Sequence, residues 1–212
     1  MHKIELIKEA IEKAERRESK ITPLALAIPG LTSLNIRHLL NNLGAISTRL
    51  LEVGSHKGCT FCSTIFKNDN ILSAISIDSF ESDLTNEDKA EPQFLDNVTI
   101  CKPLNTKFRL IKGDSFSVVF DNIIRPIDIY IYDGDHSEDA QRKGITHFIS
   151  LMADEFIFLV DDYDWPEVQK GTADGIAETG CEILFERVFK GNDHDNDGWW
   201  NGFAIFLLKK KS

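Results

Sequence analysis

The fold of this chain is decided by the stretch Arg49-Leu50-Leu51-Glu52-Val53-Gly54-Ser55-His56-Lys57-Gly58. Its apolar first half predicts a short buried strand, and Gly54 and Gly58 predict a sharp turn from that strand into a helix. A single acid, Asp78, ends the next apolar segment. A glycine turn lets the backbone approach a ligand closely, and an acid at the tip of the following strand can bind two ribose hydroxyls. The pair predicts a site for an adenosine-containing cofactor.

The composition is typical of a soluble globular protein. The chain has 212 residues, 42% of them hydrophobic, and a net charge of -10. No apolar run approaches the roughly 20 residues that a membrane span requires, and the N-terminus lacks a signal-peptide core. We therefore expect a cytoplasmic protein without a membrane partner. The acidic balance argues against a nucleic-acid partner, because neutralising phosphates requires a basic surface.

Apolar runs alternate with helical stretches over most of the chain. Helices are predicted at about 58–67, 88–102, 115–122, 137–152 and 165–180. Strands are predicted at 49–53, 71–77, 107–111, 127–132, 155–160, 182–189 and 202–210. The loop between the last two strands is too short for a parallel crossover, so they must run antiparallel. The pattern predicts an α/β fold, namely a Rossmann-like, doubly wound, seven-stranded sheet that is mostly parallel, with a C-terminal antiparallel hairpin and helices on both faces.

Two helical stretches precede this alternation. An amphipathic helix is predicted over 3–19, and a second helix over about 33–43. We predict that residues 1–44 form an N-terminal helical extension, which caps the domain or contacts a second subunit, and that residues 45–212 form the cofactor-binding domain. A homodimer follows from the second option.

Polar residues follow each predicted strand of the alternating region. The carboxyl ends of parallel strands share one edge of the sheet, where ligands of such folds bind. Asp133, Asp161 and Asp162 are expected to converge there as oxygen ligands of a divalent cation, because three close carboxylates otherwise repel one another. His136 has the chemistry of a general base. The structural alternatives are that these acids only cap turns and that His136 only hydrogen-bonds the backbone.

Two further patterns have weaker functional meaning. Cys59 and Cys62 have CxxC spacing, but they fall inside a predicted helix and lack the context of a redox or metal site. The stretch 193–198 resembles the first half of a calcium loop, yet Ala204 stands where the loop requires Glu, so a polar hairpin turn is predicted. Trp199-Trp200 beside it are expected to pack in the hairpin rather than to line a substrate wall.

These motifs together resemble the class I S-adenosylmethionine-dependent methyltransferases over about residues 48–210. The first motif of that family is matched by Leu51–Gly58, with the ExGxxxG spacing familiar among metal-dependent O-methyltransferases. The resemblance implies that Asp78 binds the ribose hydroxyls of the cofactor and that Asp114 with Ser115 flanks its adenine. It also implies that the methionine part of the cofactor faces Glu52, Gly54, Ser55 and Gly58.

The segments Tyr132–His136 and Val160–Tyr163 resemble the metal motifs of macrocin-type sugar O-methyltransferases. This likeness implies that Asp133, Asp161 and Asp162 hold a divalent cation, with Mg²⁺ expected, and that Asp135 contacts the amino-acid end of the cofactor. His136 or Asp133 would then serve as the base. The implied reaction is methyl transfer to a hydroxyl of a small molecule such as a sugar or a catechol. The walls of the acceptor pocket would come from the N-terminal helices and from the 80–92 and 190–201 loops.

Two other functions remain open at this point. A phosphohydrolase of the haloacid dehalogenase type also has an Asp-x-Asp after one strand and paired acids after another, which Asp133-Gly134-Asp135 and Asp161-Asp162 imitate. That family places its nucleophile on the first strand, however, and gives the glycine loop no role. The second alternative is a non-catalytic nucleotide- or cofactor-binding protein of the same fold.

Overall fold

The computed structural model describes residues 2–81, 90–120, 123, 125–192 and 194–211. Its seven strands form one sheet in the order β3-β2-β1-β4-β5-β7-β6. The strands are β1 Arg49–Val53, β2 Ser73–Asp78, β3 Lys107–Lys112, β4 Ile127–Tyr132, β5 Met152–Asp161, β6 Glu182–Phe189 and β7 Phe203–Lys209. The first five run parallel, and β7 runs antiparallel to both β5 and β6. The predicted fold class is confirmed.

The sheet is buried on both faces by helices. One face carries α1 His2–Glu15, α2 Pro23–Leu26, α3 Leu34–Gly44, α4 Cys59–Ile65 and α5 Ala90–Cys101, and the other carries α6 Glu138–Thr146 and α7 Pro166–Thr179. Because side chains alternate across a strand, β7 sends Ile205 to the first hydrophobic cluster and Phe206 to the second. Two-sided burial explains why a central strand such as β7 is a nearly continuous apolar run, whereas the edge strands β3 and β6 carry charged residues and are mostly exposed or half-buried.

The N-terminal helices pack on the sheet. Ile7 and Ala14 of α1 are fully buried in the same hydrophobic cluster as Leu39 of α3 and Ile205 of β7. Lys3 of α1 also donates a hydrogen bond to the carbonyl oxygen of Glu155 on β5, at 3.3 Å. In the structure α1 packs on the domain. The boundary at residue 44 and the homodimer stay predictions.

One predicted helix is wrong. The stretch 115–122 contains only a 3-10 turn at Ser115–Ser117 and continues without helix to residue 120, and 121 and 122 lie outside the described residues. The Asp114 carboxylate accepts hydrogen bonds from Phe116 N at 3.1 Å and from Ser117 Oγ at 2.7 Å, which closes a tight turn. Two β-branched valines then follow and favour an extended chain.

Other helix boundaries differ from the predictions by a few residues. The first helix ends at Glu15 rather than 19, because Arg17 has a left-handed backbone with φ of 58°. The helix predicted over 137–152 is α6 followed by a 3-10 turn at Ile149–Leu151. Pro23 and the apolar residues after it form the short α2, which the sequence pattern did not indicate. None of the helices that the structure describes is long and apolar enough to cross a membrane.

Candidate functional site

A cleft opens where the sheet changes winding direction, between the carboxyl ends of β1 and β4. These strands are neighbours in the sheet, and their chain connections leave toward opposite edges. Such a switch point leaves a crevice in which ligands of open α/β sheets bind. The cleft has a volume of about 940 Å³, within the range of small-molecule and cofactor sites.

The loop after β1 forms the floor of the cleft and depends on two glycines. Gly54 has φ of 84°, and a Cβ there would lie 1.8 Å from the carbonyl oxygen of Asp133. Gly58 has φ of 85° and precedes α4, and its Cβ would lie 2.9 Å from Cδ2 of Phe94. A side chain at either position would separate the loop from its neighbours. Gly54 therefore lets the β1 loop pack against the end of β4, and Gly58 lets it pack against Phe94 of α5. Gly54 and Ser55 line the cleft.

Asp78 at the tip of β2 organises this loop from the side. Its Oδ2 accepts a hydrogen bond from His56 N, and its Oδ1 accepts one from Phe80 N, each at 2.7 Å. A carboxylate oxygen can accept more than one hydrogen bond, so Asp78 keeps acceptor capacity toward the cleft that it lines. This position of an acid beside the glycine loop agrees with the prediction from the sequence.

Glu52 lies beneath the loop. Its side chain is fully buried, Oε1 accepts a hydrogen bond from Thr60 Oγ1 at 3.0 Å, and Oε2 has no partner. Burial raises the pKa of this carboxyl to about 8, although hydrogen bonds from Ser55 and Thr60 oppose the shift. Glu52 and Gly58 are not among the residues that line the cleft. Their contact with a cofactor stays a prediction.

Two acids of the cleft are occupied with local hydrogen bonds. Asp114 closes the turn after β3, and its bonds from Ser117 and Phe116 lower the pKa of its carboxyl. Asp135 Oδ1 accepts a hydrogen bond from Ser137 N at 2.7 Å, and hydrogen bonds from the side chain and then the backbone of Ser137 lower the pKa of Asp135. Both acids line the cleft together with Ser115. Both are therefore turn-capping residues at the edge of the cleft.

Three other carboxylates, Asp133, Asp161 and Asp162, meet at the ends of β4 and β5 and lack comparable support. Asp161 is 3% exposed and Asp162 is 8% exposed, yet Oδ1 of each has no hydrogen-bond partner. Burial, followed by the negative charge of the neighbouring acids, raises the pKa of Asp133 and of Asp161 well above the ordinary range. Burial also raises the pKa of Asp162, against the opposing effect of His136.

His136 stands at the centre of this group. Its Nε2 lies 3.2 Å from Oδ2 of Asp162 and 3.8 Å from Oδ1 of Asp133. The first contact is close but lacks the alignment of a hydrogen bond. The imidazole packs edge-on against the indole of Trp165, with 5.0 Å between ring centroids. The structure therefore brings together the residues that the sequence predicted as metal ligands and base.

The donor atoms of Asp133, Asp161 and Asp162 decide whether this group suits a cation. Among the described residues, no group of three or more His, Cys, Asp or Glu side chains is already arranged to hold a metal. The donors themselves fit a hard divalent cation, because they are carboxylate oxygens and two of them are buried without a partner. Unpaired buried oxygens of this kind require a ligand, a water or an ion.

Two segments outside the loops that follow the parallel strands complete the cleft. The residues Gly30, Leu31 and Thr32, between α2 and α3, form one wall, and His194, Trp200 and Asn201, before β7, form another. The walls are joined: Ser33 Oγ donates to the carbonyl oxygen of Gly198 at 2.6 Å, and Leu34 N donates to that of Asn196 at 2.9 Å. Segments next to the N-terminal helices and within the 190–201 loop therefore line the cleft, and their role as walls of an acceptor pocket stays a prediction.

The third expected wall is only partly described. Phe80, Glu81 and Ala90 line the cleft, whereas residues 82–89 lie outside the described residues. Trp165 was not foreseen, although its place directly after the acidic Asp161-Asp162-Tyr163-Asp164 run of the β5 strand end was a usable signal. Gly30, Leu31 and Thr32 carried no individual sequence signal.

The calcium-like stretch is a structural turn. Asp195 Oδ1 accepts a hydrogen bond from Asp197 N at 2.9 Å, and Asp197 pairs with Arg17 at 2.7 Å. Asp193 lies outside the described residues. Trp199 stacks on Phe189 at 3.8 Å between centroids, as expected for packing. Trp200 differs from that expectation because, although 7% exposed, it also lines the cleft.

The CxxC cysteines lie buried on α4, where Cys59 is 6% exposed at the cleft and Cys62 is fully buried. Burial raises the pKa of the Cys59 thiol to about 11, so the thiolate that redox chemistry needs is disfavoured.

Comparisons with known proteins agree with this architecture. A family model described as a methyltransferase domain matches residues 51–163. No curated protein matches the chain in sequence. An O-methyltransferase from Bacillus cereus, solved in complex with SAH, covers 97% of this chain and 91% of its own at 14% identity, with a TM-score of 0.62.

Two further solved structures have the same fold. TomG of Streptomyces achromogenes, an O-methyltransferase involved in tomaymycin synthesis and solved with SAM, aligns at 15% identity and a TM-score of 0.62, covering 97% of this chain and 90% of its own. A candidate caffeoyl-CoA O-methyltransferase from Staphylococcus aureus aligns at 14% identity and a TM-score of 0.62, covering 95% and 98%. At such low identity these likenesses establish the fold alone.

Proposed function

Because this chain belongs to the methyltransferase domain family, we propose that it transfers the methyl group of S-adenosylmethionine to a hydroxyl of a small molecule, assisted by a divalent cation. The observation that carries the proposal is the cleft at the β1/β4 switch point, with the glycine loop of Gly54 and the acid Asp78 on adjacent strand tips. The SAM and SAH complexes of two O-methyltransferases with the same fold support the choice of cofactor.

Each side of the cleft has its own role in this proposal. Gly54 and Ser55 let the cofactor approach the backbone, and Asp78 accepts hydrogen bonds from the ribose hydroxyls. Asp114 and Ser115 flank the adenine, and Asp135 contacts the amino-acid end. Glu52 shapes the loop from below through Thr60.

The metal part of the proposal assigns the cation to Asp133, Asp161 and Asp162. When bound, the cofactor supplies an electrophilic methyl group, and a divalent cation supplies Lewis acidity and orientation for vicinal oxygens. The three carboxylates would neutralise that charge and lose their mutual repulsion. His136 or Asp133 would take the proton that leaves the acceptor hydroxyl, because Nε2 of His136 lies among these oxygens.

The phosphohydrolase alternative loses support. Asp133 follows β4 in the chain rather than the first strand, and Asp135 accepts a hydrogen bond from Ser137 N as a turn residue. The family match also covers the glycine loop and both acidic motifs within one methyltransferase domain.

The proposal is tested by calorimetric binding of S-adenosylhomocysteine. We expect Asp78→Ala to weaken binding roughly 100-fold, because two hydrogen bonds to a charged group are lost at about 1.5 kcal/mol or more each. The matched control is Asp128→Ala at the opposite edge of the sheet, where the carboxylate similarly accepts bonds from Thr48 N at 3.0 Å and Arg49 N at 2.8 Å. That variant should lose stability and keep its affinity. Binding of NADH in place of S-adenosylhomocysteine would contradict the proposal.

Catalysis is tested separately from binding. Labelled S-adenosylmethionine and Mg²⁺ are incubated with a panel of catechols and sugars, and methylated product is quantified. Tight S-adenosylhomocysteine binding without transfer to any acceptor would favour the non-catalytic alternative.

A further inference from the structure

The charge of the cleft is strongly one-sided. Among the described residues, one lysine, Lys57, and no arginine line it. The acids that line it are Asp78, Glu81, Asp114, Asp133, Asp135, Asp161 and Asp162. A concave, partly buried site of one sign concentrates ligands of opposite charge and repels those of the same charge.

The excess of negative charge persists when the charges of the proposed cation and cofactor are included. A divalent cation would compensate most of the charge of Asp133, Asp161 and Asp162. The other four acids then face one lysine and one sulfonium. Hydrogen bonds from Ser117 and Phe116 hold Asp114 in its ionised form, because they lower the pKa of its carboxyl. The filled cleft therefore stays negative.

The buried polar atoms point in the same direction. Oδ1 of Asp161 and Oδ1 of Asp162 are buried without partners, and carboxylate oxygens only accept hydrogen bonds. The proposed divalent cation would satisfy these oxygens, and as acceptors they offer no hydrogen-bond donor to a phosphate or carboxylate of the acceptor.

The walls that face away from the cofactor loop add no lysine or arginine. Gly30, Leu31 and Thr32 on one side and Trp200 and Asn201 on the other are neutral, and the remaining wall residue is His194. Thr32 Oγ1 is itself buried, 7% of the residue being exposed, and has no partner. An unpaired hydroxyl can donate or accept a hydrogen bond, so Thr32 by itself does not select the charge of the ligand.

From these observations we propose that the acceptor is an uncharged or cationic polyhydroxy compound, and that acceptors bearing phosphate or carboxylate, including CoA thioesters and nucleic acids, are excluded electrostatically. This inference rests on the proposed function and narrows its substrate class.

The test uses three catechols of similar size that differ in charge: 3,4-dihydroxybenzylamine, 4-methylcatechol and 3,4-dihydroxybenzoate. Binding to the protein loaded with S-adenosylhomocysteine and Mg²⁺ is measured by calorimetry at pH 8, where histidine side chains are generally neutral. We expect the amine to bind about tenfold more tightly than the benzoate, with the neutral catechol between them. Roughly 0.5 M salt should reduce this difference, because it screens charges over a few ångströms.

A charge reversal at the cleft sharpens the test. Glu81→Lys should lower the amine-to-benzoate affinity ratio about threefold or more. Glu12→Lys, on the exposed side of α1, makes the same change in net charge outside the cleft and should leave the ratio unchanged.

The outcomes separate this inference from the proposed function. Failure of S-adenosylhomocysteine to bind contradicts the proposed function. Normal S-adenosylhomocysteine binding with preference for the benzoate, equal affinity for all three catechols, or no catechol binding overturns the acceptor class. The same ranking should appear in kcat/KM where turnover is measured.

Discussion

Two sets of acids at the same edge of the sheet differ in how their oxygens are used. Asp114 and Asp135 accept hydrogen bonds from neighbouring backbone and serine groups, and the pKa of each is lowered. Asp161 and Asp162 have buried oxygens without partners, and the pKa of each is raised. All of them follow or end a strand, so sequence position alone does not separate them.

The difference shows what each set contributes. An acid that caps its own turn stabilises the folded chain and is best ionised without any ligand. An acid that is buried beside other acids destabilises the empty site and gains most from a cation. Backbone strain is also found in the second set, because Asp162 is held at φ of 52°, which a non-glycine residue seldom adopts.

The largest expected effect comes from the second set. Asp161→Asn and Asp162→Asn should each lower methyl transfer roughly 100-fold or more and remove its dependence on divalent cation, because a charged ligand is lost. S-adenosylhomocysteine binding should be kept. The metal-free variants should be no less stable than the parent, since repulsion is relieved. Full turnover of the parent protein in the presence of a chelator would refute this assignment.

A smaller effect is expected at Glu52, whose pKa in the folded protein is about 8 against an ordinary 4.5. The raised value means that the folded state favours the protonated acid. Its contribution to stability is present below about pH 4.5 and is lost as pH rises through about 8. Glu52→Gln should therefore flatten the fall in the free energy of unfolding over this window.

The Glu52 prediction is checked by denaturant unfolding of the metal-free, cofactor-free protein across the window. Glu178→Gln, at an exposed acid of α7 that pairs with Arg142, should leave the slope as it is. Equal slopes for the parent and Glu52→Gln would show that Glu52 is ionised in the folded protein.

The smallest effect on stability is expected for the acids that cap their own turns, Asp114 and Asp135. Asp114→Ala should lower the free energy of unfolding at pH 7 by about 1 kcal/mol, the usual cost of a lost capping side chain. Because the folded pKa of Asp114 is lowered, its contribution is present above the ordinary value of 3.8 and is lost as pH falls. A gain in stability is compatible with the distinction between the two sets for metal-free Asp161→Asn. The same gain for Asp114→Ala would contradict it.

Much of the fold was predictable because the signals were local and repeated. The strand β1 and the helix after Gly58 lie where the apolar run and glycines placed them, and the terminal hairpin is antiparallel as its short loop required. The helix predicted over 115–122 does not form, because the Asp114 carboxylate accepts hydrogen bonds from Phe116 N and Ser117 Oγ and closes a tight turn instead. Local hydrogen bonding of this kind competes with helix formation and leaves no hydrophobic period.

The sequence by itself determined the sheet, the glycine loop and the set of acids at the strand ends. These features depend on local signals, namely apolar runs, glycine positions and the residues that directly follow each run. Only the tertiary structure decided which acids are satisfied and which are buried without a partner. It also placed Gly30–Thr32 beside His194 and Trp200, joined through Ser33 and Gly198. Contacts between segments more than 150 residues apart depend on packing of the whole sheet, and no local pattern encodes them.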